Sequence, residues 1–162
     1  MTDTVGSASG VITDTAHPLD PLTAHEVRAA RDIARAGLAL GPSAKFAMIR
    51  LQEPAKATVR SFQPGDLIER SAFVVVVDRV AGTLHDGVIS LTEGRIVTWH
   101  ERPGLQAALL MDDLVVAERG IRADPRWQQA VHRRGIDDLA KGRIDPWMVG
   151  NFAVPEEQGR RG

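Results

Sequence analysis

The chain contains no cysteine. Disulfides, thiolate metal sites, iron–sulfur clusters and a thiol nucleophile are therefore excluded. Tyrosine is absent as well, so nothing that starts from a phenol can be made from these residues. Neither sign of charge is in excess. The 20 Lys and Arg against 21 Asp and Glu leave a net charge of −1, which gives no reason to expect nucleic acid or an anionic membrane as a partner. The first ten residues, MTDTVGSASG, lack a basic stretch followed by an apolar one and do not read as a signal peptide. The longest strongly apolar run, Ala72 to Val77, is far too short to span a bilayer. Gly-rich phosphate loops of the GxGxxG or GxxxxGK[ST] type do not occur. The expectation is a soluble, cytoplasmic protein.

What is present describes a globular chain. Its 162 residues are 43% hydrophobic and 25% charged, enough for one ordinary domain or one domain with part of another. Residues 1–16 are rich in Thr, Ser, Gly and Asp and read as a flexible tail. The prolines of His17-Pro18-Leu19-Asp20-Pro21 give an extended, turn-like lead-in. Thr23 and Glu26 form a capping box for a first helix, with Leu22 and Val27 placed as a hydrophobic staple. Val27, Ala30, Ala34, Gly37 and Leu38 share one helix face, while Glu26, Arg28, Arg31, Asp32 and Arg35 lie mostly on the other. Gly41-Pro42 ends the helix.

The period then changes to two. Lys45–Glu53, Lys56–Phe62, Ser71–Val80, Leu84–Leu91 and Arg95–His100 read as strands, separated by turn residues at Pro54, Pro64-Gly65, Gly82 and Glu93-Gly94. Close connections favour an antiparallel meander, and a leading helix over such a sheet gives an α+β layer. After Pro103-Gly104 the pattern is helical again. Leu105–Glu118 reads as one helix, and a second runs to Arg134 with Asp124 as N-cap and Pro125 at its first position. Asp137–Lys141 reads as one more turn, and Ile144 to Phe152 as irregular.

Candidate chemistry is sparse. The five histidines are His17, His25, His85, His100 and His132, and no two stand two apart, so a metal site is not expected. His85-Asp86 and His100-Glu101 are neighbouring His and acid residues, but without a cleft and a third group they read as the solvated polar edge of a strand. His132, Arg133 and Arg134 fall in a last helical turn, where cations suit the helix dipole. Asp112-Asp113 and Asp137-Asp138 are adjacent in sequence, and neighbours on a helix diverge, so they read as solvated helix starts. Trp99 in an alternating strand reads as core or sheet surface. No catalytic, cofactor-binding or metal residue is assigned.

Several stretches resemble the copper- and topaquinone-containing primary amine oxidases. HPLDPLTAHE, LQEPAKATV, ERSAFVVVVDR and SLTEGRIVTWHERPG resemble that family's second domain in the right order. DPRWQQAVHRRGIDD and RIDPWMVGNF resemble the helical start of its third, through Arg134, Gly135, Ile136, Asp138, Asp145, Pro146, Trp147 and Gly150. The segment around Ala140-Lys141-Gly142 is more polar than is usual there. The resemblance implies a cystatin-like domain, one helix on an antiparallel sheet, over residues 17–102. It implies the leading helices of an incomplete second such domain over 103–162.

It also implies a parent enzyme, a homodimer, that oxidises primary amines to aldehydes with release of ammonia and hydrogen peroxide. The family does this with a copper ion held by three histidines, a quinone made from a tyrosine of the chain, and an aspartate base. None of these carries over to a residue here, so the chain itself is expected to be inactive, with the family's later strands and catalytic domain expected beyond residue 162. The alternative reading is a free-standing cystatin-like binding module.

Overall fold

The computed structural model describes residues 17–147. The expected tail at 1–16 and the segment 148–162, including the end of the irregular stretch, lie outside the described residues. The chain divides into two compact units, Met1–Ala107 and Ala108–Gly162.

The first unit opens with α1, Ala24–Gly37. Thr23 is extended, its side chain accepts from the Glu26 amide, and the Glu26 carboxylate accepts from the Thr23 amide at 2.7 Å, so the expected capping box forms in full. Four strands follow: β1 (Ala44–Leu51), β2 (Ser71–Asp78), β3 (Thr83–Ser90) and β4 (Arg95–Glu101). They form one antiparallel sheet in the order β1-β2-β3-β4, the expected meander. Gly94, at φ +67, adopts in the β3–β4 turn a backbone conformation that other residues rarely take.

Register sorts the side chains. Ala72 stands opposite Ile89, Val74 opposite Gly87 and Ile49, and Val76 opposite Phe46 and His85. Paired residues share a face, so these line the face covered by α1. There Ala30 and Ala34 of α1 pack with Ala44, Ala72, Val74, Val76, Ile89 and Leu91, all essentially fully buried, and Phe46, Ile49, Ile96 and Trp99 border them. Alanines on the helix let it lie close to a sheet of β-branched residues. Burying each Val, Ile or Leu contributes about 1.5–3 kcal/mol.

Lys56–Phe62, expected as a strand, is instead helical: α2 spans Lys56–Ser61. Pro54 interrupts any continuation of the β1 ladder. The segment offers only Ala57, Val59 and Phe62 for burial, and so short a pattern fits a helical turn equally well. None of its residues is buried, and the Val59 amide donates to the Ala55 carbonyl at 3.2 Å. The sheet therefore has four strands rather than five.

The second unit holds α3 (Met111–Ala123), α4 (Pro125–His132) and a 3-10 turn at Leu139–Lys141. The expected helix at Leu105–Glu118 starts six residues late. Leu105 to Leu110 offer no capping side chain with a carboxylate or hydroxyl, and the helix begins where the Asp113 carboxylate can accept from the Leu110 amide at 2.8 Å. It then passes through Gly120 and stops before Pro125, which disfavours helix at Asp124. Asp124 caps α4, as expected, by accepting from the Arg126 amide.

Arg122 ties these pieces together. Its guanidinium donates to Glu118 at 2.9 Å, to the Leu139 carbonyl at 2.8 Å and to the Gly142 carbonyl at 2.9 Å, and lies 5.8 Å from the Trp127 ring centroid. Yet no described residue from 108 to 147 is buried, and Met111, Val115 and Val116 of α3 are largely exposed.

Candidate functional site

The residues singled out in the sequence do not converge. His85 and Asp86 were expected on a polar strand edge, but β3 is an inner strand of the sheet. As neighbours in a strand they point to opposite faces. His85 is on the α1 side, its ring stacked on Trp99 at 5.8 Å between centroids and 10° between planes. Asp86 is on the other side, where it accepts from Arg102 Nε at 2.9 Å. That geometry leaves no His–carboxylate pair for proton transfer. His100 and Glu101 are exposed on β4, which is an edge strand, as read from the sequence. Trp99 packs against the core cluster rather than standing open to a ligand.

In the second unit Asp112 and Asp113 fall in the first turn of α3. Asp138 caps the 3-10 turn by accepting from the Ala140 amide at 3.0 Å, and Asp137 is fully exposed. Arg134 donates to the Ala130 carbonyl at 2.7 Å, the helix-end role expected of this basic cluster. Asp124 is held down to about 2 by the hydrogen bond from the Arg126 side chain beside it. Among the described residues, no group of three or more His, Asp or Glu side chains is placed to hold a metal ion.

The strongest polar constellation is one the sequence did not single out. Arg70, just before β2, and Glu26, in the first turn of α1, are 1% and 0% exposed. Arg70 Nε donates to Glu26 Oε1 at 2.8 Å and Nη2 to Glu26 Oε2 at 3.2 Å, a two-pronged pair. The remaining donors reach main-chain carbonyls: Nη1 to Asp20 at 2.8 Å and Pro18 at 3.4 Å, Nη2 to Pro21 at 3.2 Å. The main chain of Arg70 is fixed too, its amide on Thr92 Oγ1 at 2.8 Å and its carbonyl on the Leu91 amide at 2.9 Å.

Burial alone pushes the Glu26 carboxyl up. The hydrogen bonds from Arg70 and the Thr23 amide, with the Arg70 charge, outweigh it and hold the carboxyl below its ordinary value. Glu26 had been placed on the polar side of α1 by periodicity. It is buried because its partner lies 44 residues away, and no local signal reports that. This pair joins helix, sheet and lead-in; with every donor satisfied from within the chain, it offers nothing to a substrate.

Comparison with known proteins supplies what the geometry does not. Residues 23–98 match the AGAO-like N2 domain. Over 159 residues the chain is 31% identical to the primary amine oxidase of Arthrobacter sp. (strain P1), covering 98% of this chain and 24% of that protein. It is 32% identical over 151 residues to the histamine oxidase of Arthrobacter globiformis, covering 90% of this chain and 21% of that one. The crystal structure of a copper-containing benzylamine oxidase from Hansenula polymorpha shares the fold, with a TM-score of 0.65 at 21% identity over 83% of this chain and 22% of that one. The chain thus spans about a quarter of the length of the curated relatives it matches, in their N-terminal portion. With an AGAO-like N2 match over residues 23–98 and these relatives along nearly its whole length, the chain corresponds to the N-terminal portion of the copper amine oxidases.

Proposed function

We propose that this chain serves as the accessory N-terminal part of a copper- and topaquinone-dependent primary amine oxidase, packing around a catalytic portion it does not itself contain. The observation that carries the reading is the AGAO-like N2 match at residues 23–98 inside an alignment covering 98% of the chain. The residues present do not fit the family's cofactors. There is no tyrosine to become a quinone, and His85, His100 and the other histidines are not grouped to ligate copper among the described residues. Both would be supplied from outside these 162 residues.

The helix-on-sheet layer of the first unit fits a cystatin-like domain, and the helices of the second fit the start of another. By the same family argument the whole enzyme is a homodimer; a cytoplasmic location is proposed from the sequence reading, not from the family. No described helix is long and apolar enough to cross a membrane.

Two tests bear on this. The purified chain with copper, oxygen and methylamine, benzylamine or histamine is expected to give no quinone absorbance and no peroxide, and turnover of any of them would overturn the assignment. The DNA following codon 162, translated in all three frames, is expected to encode β-rich sequence, an Asn-Tyr-Asp/Glu segment and a later His-x-His. An unrelated gene there would favour a free-standing binding module instead.

A further inference from the structure

We propose that Arg70 and Glu26 form a clamp whose task is to strap residues 17–21 across the end of the helix–sheet layer, and that the strap can be released without unfolding the layer. Besides the clamp, Pro18 is buried and the His17 ring meets Phe62 edge-on at 5.4 Å between centroids. Within itself the strap is a tight turn: the Asp20 amide donates to the His17 carbonyl at 3.0 Å, the His17 amide to Asp20 Oδ2 at 2.9 Å, and the Leu19 amide to His17 Nδ1 at 3.1 Å. Leu19 is 42% exposed. With prolines at 18 and 21, the strap has two fewer amides to give to a ladder.

Three of its carbonyls, those of Pro18, Asp20 and Pro21, are instead collected by the one guanidinium. Arg70 can do this only because Glu26 holds the other side of the fork and neutralises the buried charge. The core cluster of Ala30, Ala34, Val74, Val76 and Ile89 is made without either side chain. A buried ion pair of this kind contributes less to stability than to fixing one arrangement of the chain, because burial of both charges offsets their attraction. Here the arrangement it fixes is the path of residues 17–21.

Hydrogen–deuterium exchange of the full chain, resolved to single amides, separates the strap from the layer. Arg70→Lys keeps a cation for Glu26, but its single ammonium has three donors in place of five and cannot span the carboxylate and all three carbonyls. Glu26→Leu with Arg70→Met removes both charges together and leaves an apolar site. In both proteins the Leu19 and Asp20 amides are expected to exchange about tenfold faster or more, while those of Val74, Val76 and Ile89 keep their protection. Two results would sink the proposal. One is unchanged protection at Leu19 and Asp20 in either variant that retains a protected sheet. The other is a parallel loss at strap and sheet in Arg70→Lys, which would make the pair part of the core rather than a clamp on the strap. Should the double variant fail to fold, Arg70→Lys decides alone.

Discussion

Replacing Arg70 by Met, with Glu26 left in place, tests the electrostatics of this fold most directly. The side chain is nearly isosteric along its stem, so little packing is lost. What is lost is every partner of the Glu26 carboxylate except Thr23, at a position of zero exposure. An uncompensated buried charge of this kind costs about 3–5 kcal/mol. A unit of this size has a urea m-value of about 1–2 kcal/mol/M, so the unfolding midpoint at neutral pH is expected to fall by about 1.5–5 M.

The pH dependence carries the sharper sign. In the native chain the Glu26 carboxyl lies below its ordinary value of 4.5. Its contribution is thus complete above 4.5 and is lost as pH falls through the lower, folded value. In Arg70→Met the Arg70 bonds and charge are gone while burial remains, so the folded value rises from its native position. Acidification then costs the variant less than the native chain, and the gap between them narrows as pH falls below 4.5. Urea unfolding followed by far-ultraviolet circular dichroism at several pH values reads both effects. A loss below about 1 kcal/mol at pH 7, the range of exposed pairs, or a gap that widens on acidification, would refute the reasoning.

Three further outcomes follow from particular positions. Gly87→Ala is expected to cost about 1–3 kcal/mol in urea unfolding, because its Cβ would press on the Thr98 carbonyl oxygen and the Trp99 ring across the β3–β4 pair; a neutral result would mean that β4 can move away freely. Thr23→Ala removes the hydroxyl that accepts from the Glu26 amide and should cost about 1 kcal/mol by the same measurement, with a change under a few tenths showing that the cap is idle. Since no described residue from 108 to 147 is buried, amides of α3 and α4 in the isolated chain should exchange orders of magnitude faster than those of β2 and β3, and equal protection would disprove that ordering.

The sequence by itself determined the local elements wherever the signal was local. The capping box at Thr23 and Glu26, the turns at Gly82 and Gly94, the long apolar strand expected at Ser71–Val80 and found at Ser71–Asp78, and Asp124-Pro125 at the start of α4 are written in residues a few positions apart, and all are found. Order and spacing of the longer stretches carried the family resemblance. Tertiary structure alone decided three things. Lys56–Ser61 became a helix, since its short alternation suits either state and only the sheet's boundary chooses. His85 and Asp86, adjacent in sequence, were sent to opposite sides of an inner strand. Glu26, polar and placed by helix period on the outer face, was buried because Arg70 arrives from 44 residues away. Helix period reports which residues share a side, but a charge can be buried only where the folded chain brings its partner, and that meeting exists only in three dimensions.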